Sequence, residues 1–259
     1  MNRQPAVSGT FYPADPSQLH QMLSKFLSAS ESMRSVPKAI IAPHAGYIYS
    51  GPIAACAYRR LKKAHDRITR VVLIGPSHHV AFSGLALSQC SAFMTPLGSV
   101  IVDQEALEAI ASFPFVNYIE QAHVYEHSLE VQLPFLQVML DDFKIVPIVA
   151  GNASPQQLCQ VIETLWGGDE TLIIISSDLS HYHDYETACK IDKSTSELIE
   201  HMDYEKLESE LACGKVPISG LLKFAKEKSL TIKTIALCNS GDTAGDKNRV
   251  VGYGAYVIE

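Results

Sequence analysis

Two short histidine turns, Ala42-Pro43-His44-Ala45-Gly46-Tyr47 and Gly75-Pro76-Ser77-His78-His79, each follow directly on an apolar run. A third apolar run leads into Ser176-Ser177-Asp178-Leu179-Ser180-His181. Imidazole and carboxylate are the side chains that ligate borderline divalent metals and move protons near neutral pH. Pro43 and Pro76 fix the local backbone, while Ala45, Gly46 and Ser77 leave room beside each ring. A single turn of this kind reads most simply as a hydrogen-bonded loop. Three of them, all at the ends of strand-like runs, point to one shared site. His44, His78 or His79, Asp178 and His181 would there offer two imidazoles and an anionic ligand to a metal.

Two further segments carry reactive groups. Tyr125-Glu126-His127-Ser128-Leu129-Glu130-Val131-Gln132-Leu133-Pro134-Phe135 joins acid and imidazole at what reads as the start of a helix, although neighbours on a helix point in different directions. Cys213-Gly214-Lys215-Val216-Pro217 places a cysteine just before a helix expected to begin near Pro217. The positive end of that helix and Lys215 would favour its thiolate. Cys238, at the end of Ile235-Ala236-Leu237, competes with Cys213 for such a role, and spacing does not choose between them.

The elements that must position these groups are legible. Ala39-Ile40-Ile41-Ala42, Val71-Val72-Leu73-Ile74, Ile145-Val146-Pro147-Ile148-Val149 and Leu172-Ile173-Ile174-Ile175 are apolar without alternation, as strands covered on both faces are. Weaker strand patterns lie at 85–87, 100–102, 231–237 and 252–258, the last two reading as a mixed edge. Helices begin at Asp15-Pro16 and Ser154-Pro155, each a capping residue followed by proline, and a third spans Tyr185 to His201. Strand and helix alternate without a linker or repeat. The expectation is one α/β domain over residues 1–259, layered, with a central mixed, largely parallel sheet flanked by helices. Open sheets of this class hold their chemistry at the carboxyl ends of strands, where the three turns lie.

Composition narrows the function. The chain has 259 residues and a formal charge of −7, with 21 Lys and Arg scattered among 28 Asp and Glu, so nucleic acid and anionic membranes are poor partners. No apolar stretch approaches the roughly 20 residues that span a bilayer, and the first residues lack a secretory pattern. The six cysteines stand singly, so reduced thiols and a cytoplasmic location are expected.

The motifs Ala42 to Tyr47, Gly75 to His79, Glu126 to Glu130, Ser176 to Asp178 with His181, and Cys213-Gly214 with Pro217-Ile218 closely resemble, in that order, those of the Memo family. That family is named for a mediator of ErbB-receptor-driven cell motility. The resemblance implies a domain similar to the class III extradiol ring-cleaving dioxygenases, which use non-haem iron. It implies His44 and His78 as imidazole ligands and Cys213 where those enzymes have a glutamate. It also sets Asp178 beside the metal, His181 as acid/base group, and His79, Glu126 and His127 around the pocket. A thiolate is softer than a carboxylate and suits zinc or copper as well as iron, so ring cleavage does not carry across with the fold. His183-Asp184 and Lys215-Val216 are where family members are expected to vary.

Three functions follow as expectations. The first is a metal-dependent oxidoreductase, with iron foremost, acting on a small substrate. The second is a non-catalytic metal- or peptide-binding scaffold, for which family association points to radical-SAM and AMMECR-type partners. The third is a zinc-dependent hydrolase, resting on two imidazoles, a thiolate and an open fourth position.

Overall fold

Uninterrupted apolar runs become the centre of the sheet. The computed structural model describes residues 1–29 and 35–259. Its strands are β1 (Asn2–Arg3), β2 (Ala39–Ala42), β3 (Arg70–Pro76), β4 (Leu85–Leu87), β5 (Ala92–Thr95) and β6 (Gly98–Val102), then β7 (Val116–Tyr118), β8 (Lys144–Ala150), β9 (Thr171–Ser176), β10 (His181–His183), β11 (Ile232–Asn239) and β12 (Val250–Ile258). The helices are α1 (Pro16–Leu27), α2 (Tyr47–Tyr58), α3 (Gln104–Ala111), α4 (Gln121–Val124), α5 (Leu133–Met139), α6 (Pro155–Leu165), α7 (Tyr185–Glu200) and α8 (Lys215–Glu227).

The twelve strands form one mixed sheet ordered β1-β5-β6-β8-β3-β9-β2-β12-β10, with β11 on β12, β4 on β8 and β7 on β4. The four non-alternating apolar runs that read as covered strands are the adjacent strands β8, β3, β9 and β2, all parallel. Every residue of β2 and β9 is buried, as strands covered on both faces require. One helical group, α1, α2 and α5, packs together, and α6 packs on α8 and α3; α7 lies against β11 and β12. The expected caps form: the Asp15 carboxylate accepts from the Gln18 amide at 2.8 Å, and Ser154 makes a reciprocal capping box with Gln157. Among the described residues, no helix is long and apolar enough to cross a membrane.

Register places the site. Ala42 pairs with Ser176 and Ile74 with Ile175, so β2, β9 and β3 end side by side. His44, Asp178 and His78 each stand two residues past the last residue of their strand. Parallel strands in register thus bring together three turns that are far apart in the chain.

The segment around Glu126 differs from the expected helix start. Residues 126–129 are non-helical, a short 3-10 turn spans Glu130–Gln132, and α5 begins only at Leu133. Pro134 fits the first turn of a helix but not its interior, which holds the start at that point. Upstream, the Glu126 carboxylate accepts the Ser128 amide at 2.9 Å and so offers this backbone an alternative to helix.

Candidate metal centre

The site begins with the imidazole of His44, which is buried. Its Nδ1 lies 2.9 Å from Ser176 Oγ. That hydroxyl gives its single proton to Ser128 O at 2.5 Å and accepts from Gln132 Nε2 at 2.8 Å. Ser176 therefore has only acceptor capacity left for His44, so Nδ1 carries the ring proton and Nε2 a free lone pair. Gln132 also donates to Pro43 O at 3.0 Å and accepts from Tyr58 OH at 2.7 Å, which fixes the turn from behind. Burial and the neighbouring His78 hold His44 well below the ordinary histidine range, so it is a neutral donor.

His78 is set by the same logic from a different partner. Its Nδ1 donates to Glu126 Oε1 at 2.8 Å and its backbone amide to Glu126 Oε2 at 2.6 Å. A carboxylate on Nδ1 leaves Nε2 as the ligand atom and raises its basicity. Burial works against both charges, but the contact prevails: Glu126 stays ionised, well below the usual carboxylate range, and His78 is pushed above the ordinary histidine value.

Cys213 completes the triangle. Its sulfur lies 3.3 Å from His44 Nε2 and accepts the Asp178 amide at 3.3 Å. It reaches this place because Gly214 lets the start of α8 press against the end of β9: a Cβ there would stand 2.5 Å from Ser177 Cβ and 2.9 Å from Ser176 O. The Gly214 amide donates to Ser177 Oγ at 2.9 Å. The expectation of a favoured thiolate is not met by the surroundings of the sulfur. Burial, aided by Asp178, pushes the thiol up to about 12 and outweighs the helix end and the amide bonds. The thiol proton thus faces the lone pair of His44, where a cation would displace it. Cys238 lies on β11 and does not line this cavity.

The ligand atoms of His44, His78 and Cys213 all lie within 4.8 Å of one another. They face a cavity of about 660 Å³, whose lining also includes His127, Asp178, His181 and, toward the mouth, Tyr182, His183, Ser209 and Glu210. Asp178 Oδ1 accepts the His44 amide at 2.7 Å, and Oδ2 lies 3.9 Å from His44 Nε2. Burial lifts its carboxyl to about 7 despite the amide bonds from His44 and Ala45. His181 is half-buried in the wall and held below the ordinary histidine value by burial. His127 stacks on His78 with centroids 4.6 Å apart, and Phe11 packs on its ring at 4.8 Å; burial brings it down to about 4.

Glu126 stands behind His78 rather than in the lining, and His79 is exposed, its ring 6.3 Å from that of His127. His78, Glu126 and His127 also form a second compact donor group. Its two rings are stacked at 23°, whereas two imidazoles sharing one ion aim their ring planes at a common point, so Glu126 is better described as the partner that orients His78.

Residues to which the sequence assigned no role support the site from further away. Arg3 and Glu130, both buried, pair at 2.6 Å. Glu130 also accepts from the Ala6 and Val7 amides and from Tyr12 OH, while Arg3 donates to Glu126 O at 2.5 Å. This network straps residues 3–12 to the Glu126 segment and delivers Phe11 to His127.

Fold and site together define an α/β protein with a strand-end group of two imidazoles and a thiol that could hold a metal ion. The chain belongs to the Memo-like protein family, whose description matches residues 3–257. It is 38% identical to a MEMO1 family protein of Aquifex aeolicus, covering 97% of each chain, and 37% identical to one of Sulfolobus acidocaldarius, covering 98% of each. An uncharacterized Escherichia coli K12 protein of known crystal structure shares the fold, with a TM-score of 0.52 at 12% identity over 85% of this chain and 98% of that one.

Proposed function

We propose that this chain is a metal-dependent oxidoreductase that holds a divalent ion, iron foremost, on His44, His78 and Cys213 and acts on a small molecule entering the cavity above them. The observation that carries this reading is the convergence of three donor atoms within 4.8 Å at the wall of an open cavity of about 660 Å³. Structural sites close their coordination with protein ligands, whereas three ligands beside an open space leave positions for an incoming molecule. The donor set fits the group: both imidazoles hold their proton on Nδ1 against a fixed partner, which leaves Nε2 for an ion, and the thiol proton is replaceable. Two imidazoles and a thiolate suit iron, zinc and copper, and the assignment of iron rests on the likeness to non-haem iron dioxygenases.

When bound, the ion would supply Lewis acidity and, for iron or copper, a redox centre. The chain's own residues supply the rest. His181, neutral and in the cavity wall, can accept a proton from a hydroxyl entering the cavity. Asp178, with its carboxyl at about 7, is poised to hold or release a proton beside His44 while keeping that turn in place. A reduced thiol in this role is suited to the cytoplasm.

Metal analysis after anaerobic purification tests the reading on the wild type, His44→Ala and Cys213→Ala. The wild type is expected to retain about one equivalent and each variant to lose most of it. Equal metal content in all three would refute the site.

A further inference from the structure

Ser128 is fully buried and stands outside the cavity lining, yet each of its polar groups bonds a different support of the centre. Its amide donates to Glu126 Oε1 at 2.9 Å, the same oxygen that accepts from His78 Nδ1. Its carbonyl accepts the Ser176 hydroxyl, which in turn accepts from His44 Nδ1. Its own hydroxyl donates to Pro76 O at 3.0 Å, at the end of β3 and two residues before His78. One hydrogen-bonded line thus runs from His44 through Ser176, Ser128 and Glu126 to His78.

The sheet explains why a residue from another segment is needed here. The pairing of β3 with β9 ends at Ile74 and Ile175, so Pro76 and Ser176 both lie beyond the ladder that would set their spacing. Ser128 spans that gap, donating to the one and accepting from the other. Gly75 makes the room: a Cβ there would stand 2.6 Å from Ser128 Oγ and 3.0 Å from Ser128 Cβ. Packing alone asks for no hydroxyl, since an alanine fits the same space and lacks only the bond to Pro76 O. A buried polar network whose members are all paired rigidifies the groups it joins, and here it joins the two turns that carry the imidazole ligands.

We infer that Ser128 is a positioning residue that fixes the two histidine turns relative to one another, so that its hydroxyl strengthens metal binding at ligands it does not touch. The inference rests on the metal-centred reading and adds to it the device that sets the spacing of the two imidazoles.

The test uses zinc alone as probe, with affinity measured by competition against a chromophoric chelator and unfolding midpoints measured with and without zinc. Ser128→Ala is expected to bind roughly three- to tenfold more weakly, somewhat less than the loss typical of a partner bonded directly to a ligand. The rise in its midpoint on adding zinc should shrink accordingly, whereas a hydroxyl that only supported the core would lower both midpoints and leave the rise unchanged. Ser196→Ala is the control: it removes another buried hydroxyl, one that donates to Asp192 O at 2.9 Å, and should leave zinc affinity within about 1.5-fold of the wild type. Affinity of Ser128→Ala within about twofold of the wild type, an equal loss in Ser196→Ala, or an unfolded Ser128→Ala by circular dichroism would overturn the inference. Equal zinc affinity of the wild type and His44→Ala would count against the metal centre instead, and that comparison does not involve Ser128.

Discussion

Replacing Glu126 by glutamine isolates the contribution of the group that orients His78. The carboxylate accepts three hydrogen bonds, from His78 Nδ1 at 2.8 Å, the His78 amide at 2.6 Å and the Ser128 amide at 2.9 Å. An amide of the same shape has one oxygen, so its NH₂ group must face either the His78 amide or the pair formed by Nδ1 and the Ser128 amide, donor against donor. The charge-assisted bond to Nδ1, a contact of about 1.5–3 kcal/mol, is weakened or lost, and with it the preference for Nε2 as the ligand atom. Changes to partners that orient metal ligands typically cost 10- to 100-fold in affinity, about 1.4–2.7 kcal/mol, which agrees with the hydrogen-bond figure. Competition for zinc against a chromophoric chelator measures this directly, with circular dichroism confirming that Glu126→Gln is folded. An affinity within about twofold of the wild type would show that the ring is oriented by something other than Glu126.

Other perturbations follow from the same structure. Glu130→Gln leaves the buried Arg3 without its charge partner and should destabilise the fold by about 3–5 kcal/mol in equilibrium denaturation; a loss below about 1 kcal/mol would refute the strap. Gly214→Ala drives a Cβ into Ser177 and should cost about 1–3 kcal/mol while moving Cys213 off the site, read as loss of the thiolate charge-transfer band of the cobalt-loaded protein; an unchanged band would contradict the close approach as the device that places the sulfur. Because the metal-free thiol is pushed up to about 12, metal binding must expel its proton, and apparent affinity should rise with pH, up to about tenfold per unit for each proton released. A flat profile between about pH 6 and 8 would mean that Cys213 is not a ligand.

The strands and the helix caps were legible because their signals are local. Ile40, Leu73, Ile148 and Ile174 lie in runs that fit a doubly covered strand, and Asp15 and Ser154 announce their helices within three residues. The nearness of His44, His78 and Asp178 followed from strand ends alone, since parallel neighbours end side by side. What escaped depends on contacts across the chain. Glu126 acts on a ring 48 residues away, and Arg3 on a carboxylate 127 residues away. Helix α2 contains Gly51 and Pro52, which read locally as breakers; its glycine instead admits the Phe26 ring of α1. Cys213 and Cys238 are told apart by what the fold packs around them, since only Cys213 lines the cavity. The expected thiolate failed for the same reason, because sequence shows the helix end and Lys215 but not the burial that overrides both. The bulge that β10 carries at Tyr182 left no trace, since its cause is the pairing with β12.

The proposed function rests on one metal ion held by His44, His78 and Cys213. Anomalous scattering recorded at the iron and zinc edges, on crystals of protein purified without air or chelator, tests it most directly. One peak is expected, stronger at the iron edge, within bonding distance of His44 Nε2, His78 Nε2 and Cys213 Sγ. A peak elsewhere, or a fully ordered site with no anomalous signal at either edge, would contradict it.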